Sequence, residues 1–560
     1  KLQVSGGLTI DSSGAEHYAS ISTFAESPHQ PGIYWTGSDD GLVYTSRDSG
    51  KNWQNITPPN LPEWSYIFCI EVSVHDPETV FLSATRYKLN DYRPLLYKST
   101  DGGQNWSSIN GDYPKTEISR VIREDPTCPG LLYVGAETGI FMSSNSGENW
   151  QKLGGNFPVV PVYDLKIKQD DLVVATHGRS FWILDDLTPL RKFASKSSGS
   201  KNVDSGDVQF FVPRTTYRRT LNWSVNLFLG DGKNYSPDFG LPGTHYLETT
   251  AEGEKRFRYL DMGENPPEGV IVNYFLESIP DQPLELIILD AGGMEIEHFS
   301  SKIPDSDPKE IGDKQEEEKP NLPLKLGFNR FVWNMHYPGP EVKIDKALEK
   351  PGYQQLGRIA PFGGGSSSGP VASPGNYQAQ LKLGKHEITH SFEIIKDPRL
   401  KTTAEDFSAQ FELWSKIRNS VSAINSAINK VRKINLQITE LLSRDIFSGT
   451  DSEKALTAVR KAAELLMKNF SEIENQLTQN QYETPSDRLR HPTMLKERME
   501  ALVSVVSVSD ASPPEQAHAV YEDLSAKVEK QLTQLKKLEE KELPQLNEQI
   551  EQVGIPKLQA

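Results

Sequence analysis

An eight-residue phrase, Ser-x-Asp-x-Gly-x-x-Trp, occurs three times in the first 150 residues, each time behind apolar strand-like runs. The copies are Ser46-Arg-Asp48-Ser-Gly50-Lys-Asn-Trp53, Ser99-Thr-Asp101-Gly-Gly103-Gln-Asn-Trp106 and Ser143-Ser-Asn145-Ser-Gly147-Glu-Asn-Trp150, the last with Asn in place of Asp. Residue chemistry reads the phrase as a turn. Ser and Asp oxygens take nearby backbone N–H groups, Gly adopts a positive φ, and Trp plugs into a core. This is a folding device rather than a catalytic one, and its recurrence demands a repeat architecture in which each unit packs on its neighbour.

Aligned on the Trp residues, each repeat reads as a buried strand, a turn, a second strand ending in small residues, a polar corner, a third strand and the phrase itself, which is one four-stranded propeller blade. The first strands lie near 18–24, 67–74, 118–122 and 162–167, and a fourth repeat over 162–184 lacks the phrase. The phrase resembles the Asp box of bacterial-neuraminidase-type (BNR) repeats, found in sialidases, sortilin-like receptors and some endoglucanases. There it joins the outer two strands of a blade and faces away from the substrate. Four blades are few beside the six or more that the resemblance implies, and the chain opens abruptly in strand-like sequence. It therefore reads as the C-terminal part of a longer precursor whose N-terminal propeller segment supplies the remaining blades, with a closed four-bladed ring as the alternative.

At 560 residues the chain exceeds a single core, and three domains are expected. No apolar run approaches the roughly 20 residues that span a bilayer, and Lys1 to Gly7 lack the apolar core of a signal peptide. A net charge of −16 argues against nucleic-acid partners, which reward a basic surface. The two cysteines, Cys69 and Cys128, fall in different repeats and suggest no disulfide framework, Cys69 reading as core. The eleven histidines show no His-x-x-x-His spacing, and neither a phosphate loop nor a Gly-x-Ser-x-Gly elbow is present. No metal and no cofactor is expected.

Loops carried on rigid sheets are where binding residues collect. The polar corners between second and third strands are Ser38-Asp39-Asp40-Gly41, Thr85-Arg86-Tyr87, Ala136-Glu137-Thr138-Gly139 and Thr176-His177-Gly178-Arg179. Converging corners would place Asp39, Asp40, Glu137 and His177 as candidate catalytic groups and Arg86, Tyr87, Arg179 and Trp64 as candidate binding groups. The bland reading of the same corners is solvated turns. Glycoside hydrolysis generally needs two carboxyl groups at a set separation. Asp39, Asp40, Glu63, Glu71, Glu124 and Glu137 are available, with Arg86, Arg120, Arg123 and Arg179, but their pairing is not visible in the sequence.

The phrase Ala175-Thr-His-Gly-Arg-Ser-Phe-Trp-Ile-Leu-Asp-Asp-Leu-Thr-Pro-Leu190 resembles a family of large bacterial proteins with sortilin-like repeats, often labelled glycosyl hydrolases. That resemblance covers nearly the whole chain and implies a propeller, an Ig-like module, a helical tail and export. The expected boundaries are 1–195 for the blades, 196–207 for a linker, 208–398 for an Ig-like β-sandwich with insertions at about 231–262 and 303–320, and 399–560 for a bundle of long antiparallel helices. Trp333 reads as the core Trp of the sandwich, and the acidic and Gly-rich stretches near 305–319 and 363–369 as mobile loops. From Thr402 the apolar residues Phe407, Phe411, Trp414, Ile417, Val421 and Ile424 recur at helical spacing, with Thr402-x-x-Glu405 as capping box. Later helices are expected over 452–479, 492–508 and 513–553, the last kinked by Pro544.

Two functions follow. The first is an exported binding or scaffold protein whose propeller recognises a protein, peptide or glycan and whose helices dock to a partner. The second is a glycoside hydrolase of sialidase or Asp-box endoglucanase type, sharing its site with the preceding blades. The first predicts no close carboxylate pair among the corners; the second predicts acids, arginines and aromatic platforms at the propeller axis.

Overall fold

The computed structural model describes residues 19–197, 208–219, 232–236, 243–249, 255–259, 267–301, 320–348, 369–443, 453–482, 487, 489–554 and 556–558. The chain divides into two compact units, Lys1–Ser205 and Gly206–Ala560.

Four antiparallel meanders make up the first unit. They are β1 (Ile21–Glu26), β2 (Tyr34–Ser38), β3 (Val43–Ser46) and β4 (Gln54–Asn55); β5 (Tyr66–Val72), β6 (Val80–Arg86), β7 (Asp91–Ser99) and β8 (Ser107–Ser108); β9 (Ser119–Glu124), β10 (Leu132–Ala136), β11 (Ile140–Ser143) and β12 (Gln151–Lys152); then β13 (Val162–Lys168), β14 (Asp171–Thr176) and β15 (Phe181–Leu184). The first strands stand side by side in chain order, β1 against β5, β5 against β9 and β9 against β13, as blades do in a β-propeller. Equivalent side chains tie successive sheets: His29 Nε2 meets the Ser73 carbonyl at 3.0 Å, and His75 Nε2 meets the Asp125 carbonyl at 2.8 Å. Helix α1 (Thr188–Ser197) follows the fourth sheet, and its Arg191 pairs with buried Asp125 at 2.9 Å and with Asp170 at 2.5 Å.

The repeated phrase links third to fourth strand in each of the first three sheets. In the second copy Ser99 Oγ accepts the Gly103 N–H at 2.8 Å and donates to Asp101 Oδ1 at 2.8 Å, while Asp101 takes the Asn105 N–H at 2.8 Å. Ser46 and Asp48 in the first copy, and Ser143 and Asn145 in the third, repeat this pattern with Gly50 and Gly147. Trp106 and Trp150 donate their indole N–H to the carbonyls of Ile56 and Ile109 in the preceding sheet, at 2.7 and 2.9 Å. Trp53 corrects the expectation of a buried Trp in every copy. It is 42% exposed and donates to its own Gly50 at 3.0 Å, because no sheet precedes the first among the described residues.

In the second unit β16 (Val208–Phe210), β21 (Val270–Leu276) and β24 (Gly327–Trp333) form one sheet. A five-stranded sheet runs in the order β17 (Thr216–Arg218), β26 (His386–Lys396), β25 (Gly375–Leu383), β22 (Leu284–Asp290), β23 (Glu295–Ser300). The two sheets close on one core that includes Val272, Tyr274, Leu286, Trp333, Tyr377 and Phe392. The stretch read as a polar insertion is a third sheet, β18 (Gly232–Ser236), β19 (Gly243–Thr249) and β20 (Lys255–Tyr259), whose charges hid its strand character. The stretch near 305–319 and that near 363–369, its last residue Gly369 excepted, lie outside the described residues.

The helical part comprises α2 (Ala404–Ser443), α3 (Glu453–Leu477), α4 (Leu495–Val506), α5 (Glu515–Lys537) and α6 (Leu543–Gln552), packed on one apolar core. A π-turn over Leu538–Glu542 separates α5 from α6 just before Pro544, which has no N–H and whose ring crowds the carbonyl four residues back. The capping box of α2 is Thr403 with Asp406, one residue beyond the expected Thr402 and Glu405. Thr402 is diverted, its hydroxyl donating to the Asp510 carbonyl at 2.6 Å. Sheets and helices belong to one unit because Arg218 on β17 is buried between them. It donates to Asp510 at 2.9 Å, to Gln410 at 2.5 Å and to the Ala372 carbonyl at 3.1 Å, with Phe407 stacked at 4.7 Å.

Candidate binding site at the propeller axis

Each first strand slips register by one residue at the same place. Pairing jumps between Ile21 and Thr23, Ile67 and Cys69, Ser119 and Val121, and Val162 and Asp164. The residues left without a ladder partner are therefore Ser22, Phe68, Arg120 and Tyr163. A β-bulge re-aims its extra side chain, and repetition in four adjacent strands brings these residues into one layer.

Arg120 is the centre of that layer. Its guanidinium lies 4.5 Å from the Tyr163 ring, 5.3 Å from Tyr87 and 5.5 Å from Phe68, and its side chain is only 5% exposed. Glu137 closes on its edge, Oε2 accepting from Nε at 3.0 Å and Nη2 at 2.5 Å. His177 is exposed and stacks on Tyr163 at 5.0 Å. Tyr66 stands 5.8 Å from Phe68, and Lys88 Nζ lies over Tyr66 at 5.9 Å. Tyr87, Glu137 and His177, read from the corners, are thus joined to one cluster through Arg120 and Tyr163.

The other corner candidates have local duties. Asp39 accepts the Ser20 N–H at 3.0 Å, and buried Asp40 accepts the Ser38 hydroxyl. Arg86 pairs with Asp91 at 3.0 Å. The Arg179 N–H donates to Thr176 Oγ1 at 3.1 Å, and its carbonyl accepts the Trp182 indole. Trp64 is half-buried with a φ of 62°, beside the Gly41 turn. Trp35 is fully buried and is not a platform for a sugar ring.

All four first strands line a cleft of about 500 Å³ that includes Phe24, Glu26, Glu71, Arg123, Asp164 and Lys166. Arg123 rivets three strands: Nη1 meets Glu71 and Cys69 Sγ, both at 3.0 Å, Nη2 meets Asp164 at 2.8 Å, and Nε meets the Leu165 carbonyl at 2.8 Å. Burial pushes the Glu71 carboxyl up from its ordinary value, against the pull of Arg123 and Lys166. Glu124 is structural, accepting from Ser73 and from the Gly130 N–H. Among the described residues no group of three or more His, Cys, Asp or Glu could hold a metal ion, and no helix is long and apolar enough to cross a membrane.

Sequence reasoning counted Arg120 among the arginines without distinguishing it and missed Phe68 and Tyr163. The four residues share no local signature: Ser22, Arg120 and Tyr163 are second in their strands, Phe68 is third in β5, and their neighbours range from Ile21 and Val162 to Cys69 and Asp164.

No family model matches the chain. A probable oligoxyloglucan-reducing end-specific xyloglucanase of Neosartorya fischeri is 29% identical over 109 residues, which are 19% of this chain. The match spans 12% of that protein's length. Solved structures similar to the chain include YCF48 from Cyanidioschyzon merolae, at 13% identity over 42% of this chain and 70% of that one, with a TM-score of 0.23. YCF48 bound to D1 peptide is 14% identical over 46% of this chain and 75% of that one, TM-score 0.25. The GH74 xyloglucanase from Xanthomonas campestris is 12% identical over 67% of this chain and 54% of that one, TM-score 0.25. These neighbours are β-propeller proteins, among them both glycoside hydrolases and a peptide binder.

Proposed function

We propose that the chain belongs to an exported multidomain binding or scaffold protein of sortilin-like, BNR-repeat type. Its propeller recognises a protein, peptide or glycan at the end of the axis, its sandwich is an Ig-like spacer, and its helices dock to a partner. The observation that carries this reading is the use made of the charged groups at the axis. Arg123 is spent on Glu71 and Asp164, Arg120 on Glu137, and Arg86 on Asp91. Carboxylates each tied to an arginine suit a rigid recognition surface better than an acid and base poised to exchange protons. On the same reading an N-terminal propeller segment of the same precursor covers the first sheet. The exposed Trp53, Ile21 and Phe24 support that partner.

One observation favours a second reading, glycoside hydrolysis of sialidase or endoglucanase type. Glu71, its carboxyl pushed up by burial, shares the cleft with Asp164. Peptide and glycan arrays probed with the whole chain, alongside turnover assays on xyloglucan oligosaccharides and sialyllactose, separate the two. Saturable binding without turnover is the expected result. Turnover that disappears in Glu71→Gln would replace the binding reading with the hydrolytic one.

A further inference from the structure

The second unit has a groove of its own, about 530 Å³, between α3 and α5. Its floor is aliphatic, with Ile473 of α3 and Leu538 of the π-turn both buried. Amides make much of its walls, Asn475 and Gln476 on α3 facing Gln531 and Gln534 on α5, and Asn469 Nδ2 donates to Glu542 Oε2 at 3.2 Å where the two walls meet. Gln531 stands where packing asks for an aliphatic residue. Ala517, Tyr521, Leu524, Val528, Leu535 and Leu538 recur by threes and fours along the side turned to the helical core, and position 531 completes that series. A polar residue in such a seam costs stability, so its presence there calls for a use.

The lining narrows the ligand. Each carboxamide carries both a donor and an acceptor, which is what an extended main chain presents along its edge. From Asn469 to Gln476 the α3 wall runs about 10 Å, room for about three extended residues. None of the lining residues is aromatic, so a sugar ring has no platform to stack on. Glu472 and Glu542 against Lys537 leave the walls acidic, which favours a basic side chain in the ligand. We infer that this groove binds an extended segment of a partner protein that carries an arginine or lysine, its main chain held by Gln476, Gln531 and Gln534. This rests on the docking role proposed above for the helices and names the partner's chemistry.

The test follows the methyl NMR signals of Ile473 and Leu538 in the full 560-residue chain during titration with a capped pentapeptide, an arginine flanked by two alanines on each side. Recognition through the main chain makes so plain a peptide sufficient, and both methyls should shift saturably. The same peptide N-methylated along its backbone keeps the charge and loses its donors, and should bind at least about tenfold more weakly. Glutamate in place of the peptide's arginine should weaken it several-fold. Gln531→Leu restores the aliphatic series. It should cost the peptide about tenfold in affinity while raising the unfolding midpoint of the second unit, a pair of effects that a merely structural glutamine would not give. Unmoved methyls, equal binding of the N-methylated peptide, unchanged affinity in Gln531→Leu, or saturation of the same methyls by lactose would each overturn the assignment. Unmoved methyls beside array ligands that still bind would sink this inference and leave the binding function standing; silent arrays would sink the function itself.

Discussion

The first repeat turn and the two that follow it share a sequence but not a set of neighbours. Inside the turn the three copies agree, with Ser46, Ser99 and Ser143 accepting the N–H of Gly50, Gly103 and Gly147 at 2.8–2.9 Å. Outside it they part. Trp106 and Trp150 bolt onto the preceding sheet, and Trp53 folds back on its own turn. The glycines repeat the contrast: a Cβ on Gly147 would lie 2.7 Å from Ile109 Cβ and one on Gly103 would strike Ile56, whereas at Gly50 the nearest atom is 3.8 Å away, in Trp53. The phrase therefore combines two devices, a local hydrogen-bonded turn and an intersheet bolt. Only the second depends on having a sheet to bolt to.

The bolt is where the largest difference should appear. Trp150→Ala removes a buried ring and its bond to Ile109, and should cost about 3–5 kcal/mol in the unfolding of the first unit, against about 1 kcal/mol or less for Trp53→Ala. Urea unfolding followed by hydrogen exchange in the third and first sheets reads both; equal losses would mean that Trp53 is covered in solution. Ser46→Ala, Ser99→Ala and Ser143→Ala each strand a glycine N–H, and the three should cost alike, about 1–2 kcal/mol. A spread much wider than that would tie the local device to the bolt after all. Gly147→Ala meets both a positive φ of 94° and Ile109, so it should destabilise more than Gly50→Ala, whose φ of 83° is the sole obstacle.

The same contrast marks what could be read from the chain. The turn was legible because its hydrogen bonds join atoms two to four residues apart, so spacing and side-chain chemistry suffice. Burial of its Trp was not, since that depends on a carbonyl about 50 residues away. The bulge at Arg120 is a property of two paired strands, and nothing within Ser119-Arg120-Val121 announces it. The start of α2 fails for a related reason. Thr402-x-x-Glu405 and Thr403-x-x-Asp406 are equally good boxes, and the choice is made by the Asp510 carbonyl, 108 residues along the chain. Of the corner residues, Tyr87, Glu137 and His177 were singled out in sequence, yet the group that gathers them, Arg120 on its bulge, became visible only once the strands were paired.

The third turn differs from the second in one atom that titrates, and this gives the smallest and most specific effect. The backbone N–H and side-chain amide of Asn105, with the Ser99 hydroxyl, hold the Asp101 carboxyl down at about 2, from an ordinary 3.8. A carboxyl depressed in the folded state stabilises fully above its unfolded value and loses that contribution as pH falls through its folded value. The second turn should therefore loosen between about pH 4 and pH 2. Asp48 is lowered by the same bonds from Asn52, so the first turn should follow. Asn145 takes the Asn149 N–H at 2.9 Å with an uncharged oxygen, and its turn should stay indifferent to acid over that window. Exchange of the Asn105 and Asn149 amides, corrected for intrinsic rates, compares the two within one molecule. Asp101→Asn should flatten the acid response of the second turn, and Asn145→Asp should install it in the third. If the third turn of the unaltered chain loosens in step with the second, the protons are acting on the packing between sheets, and the turn and the bolt are not the separable devices their hydrogen bonds describe.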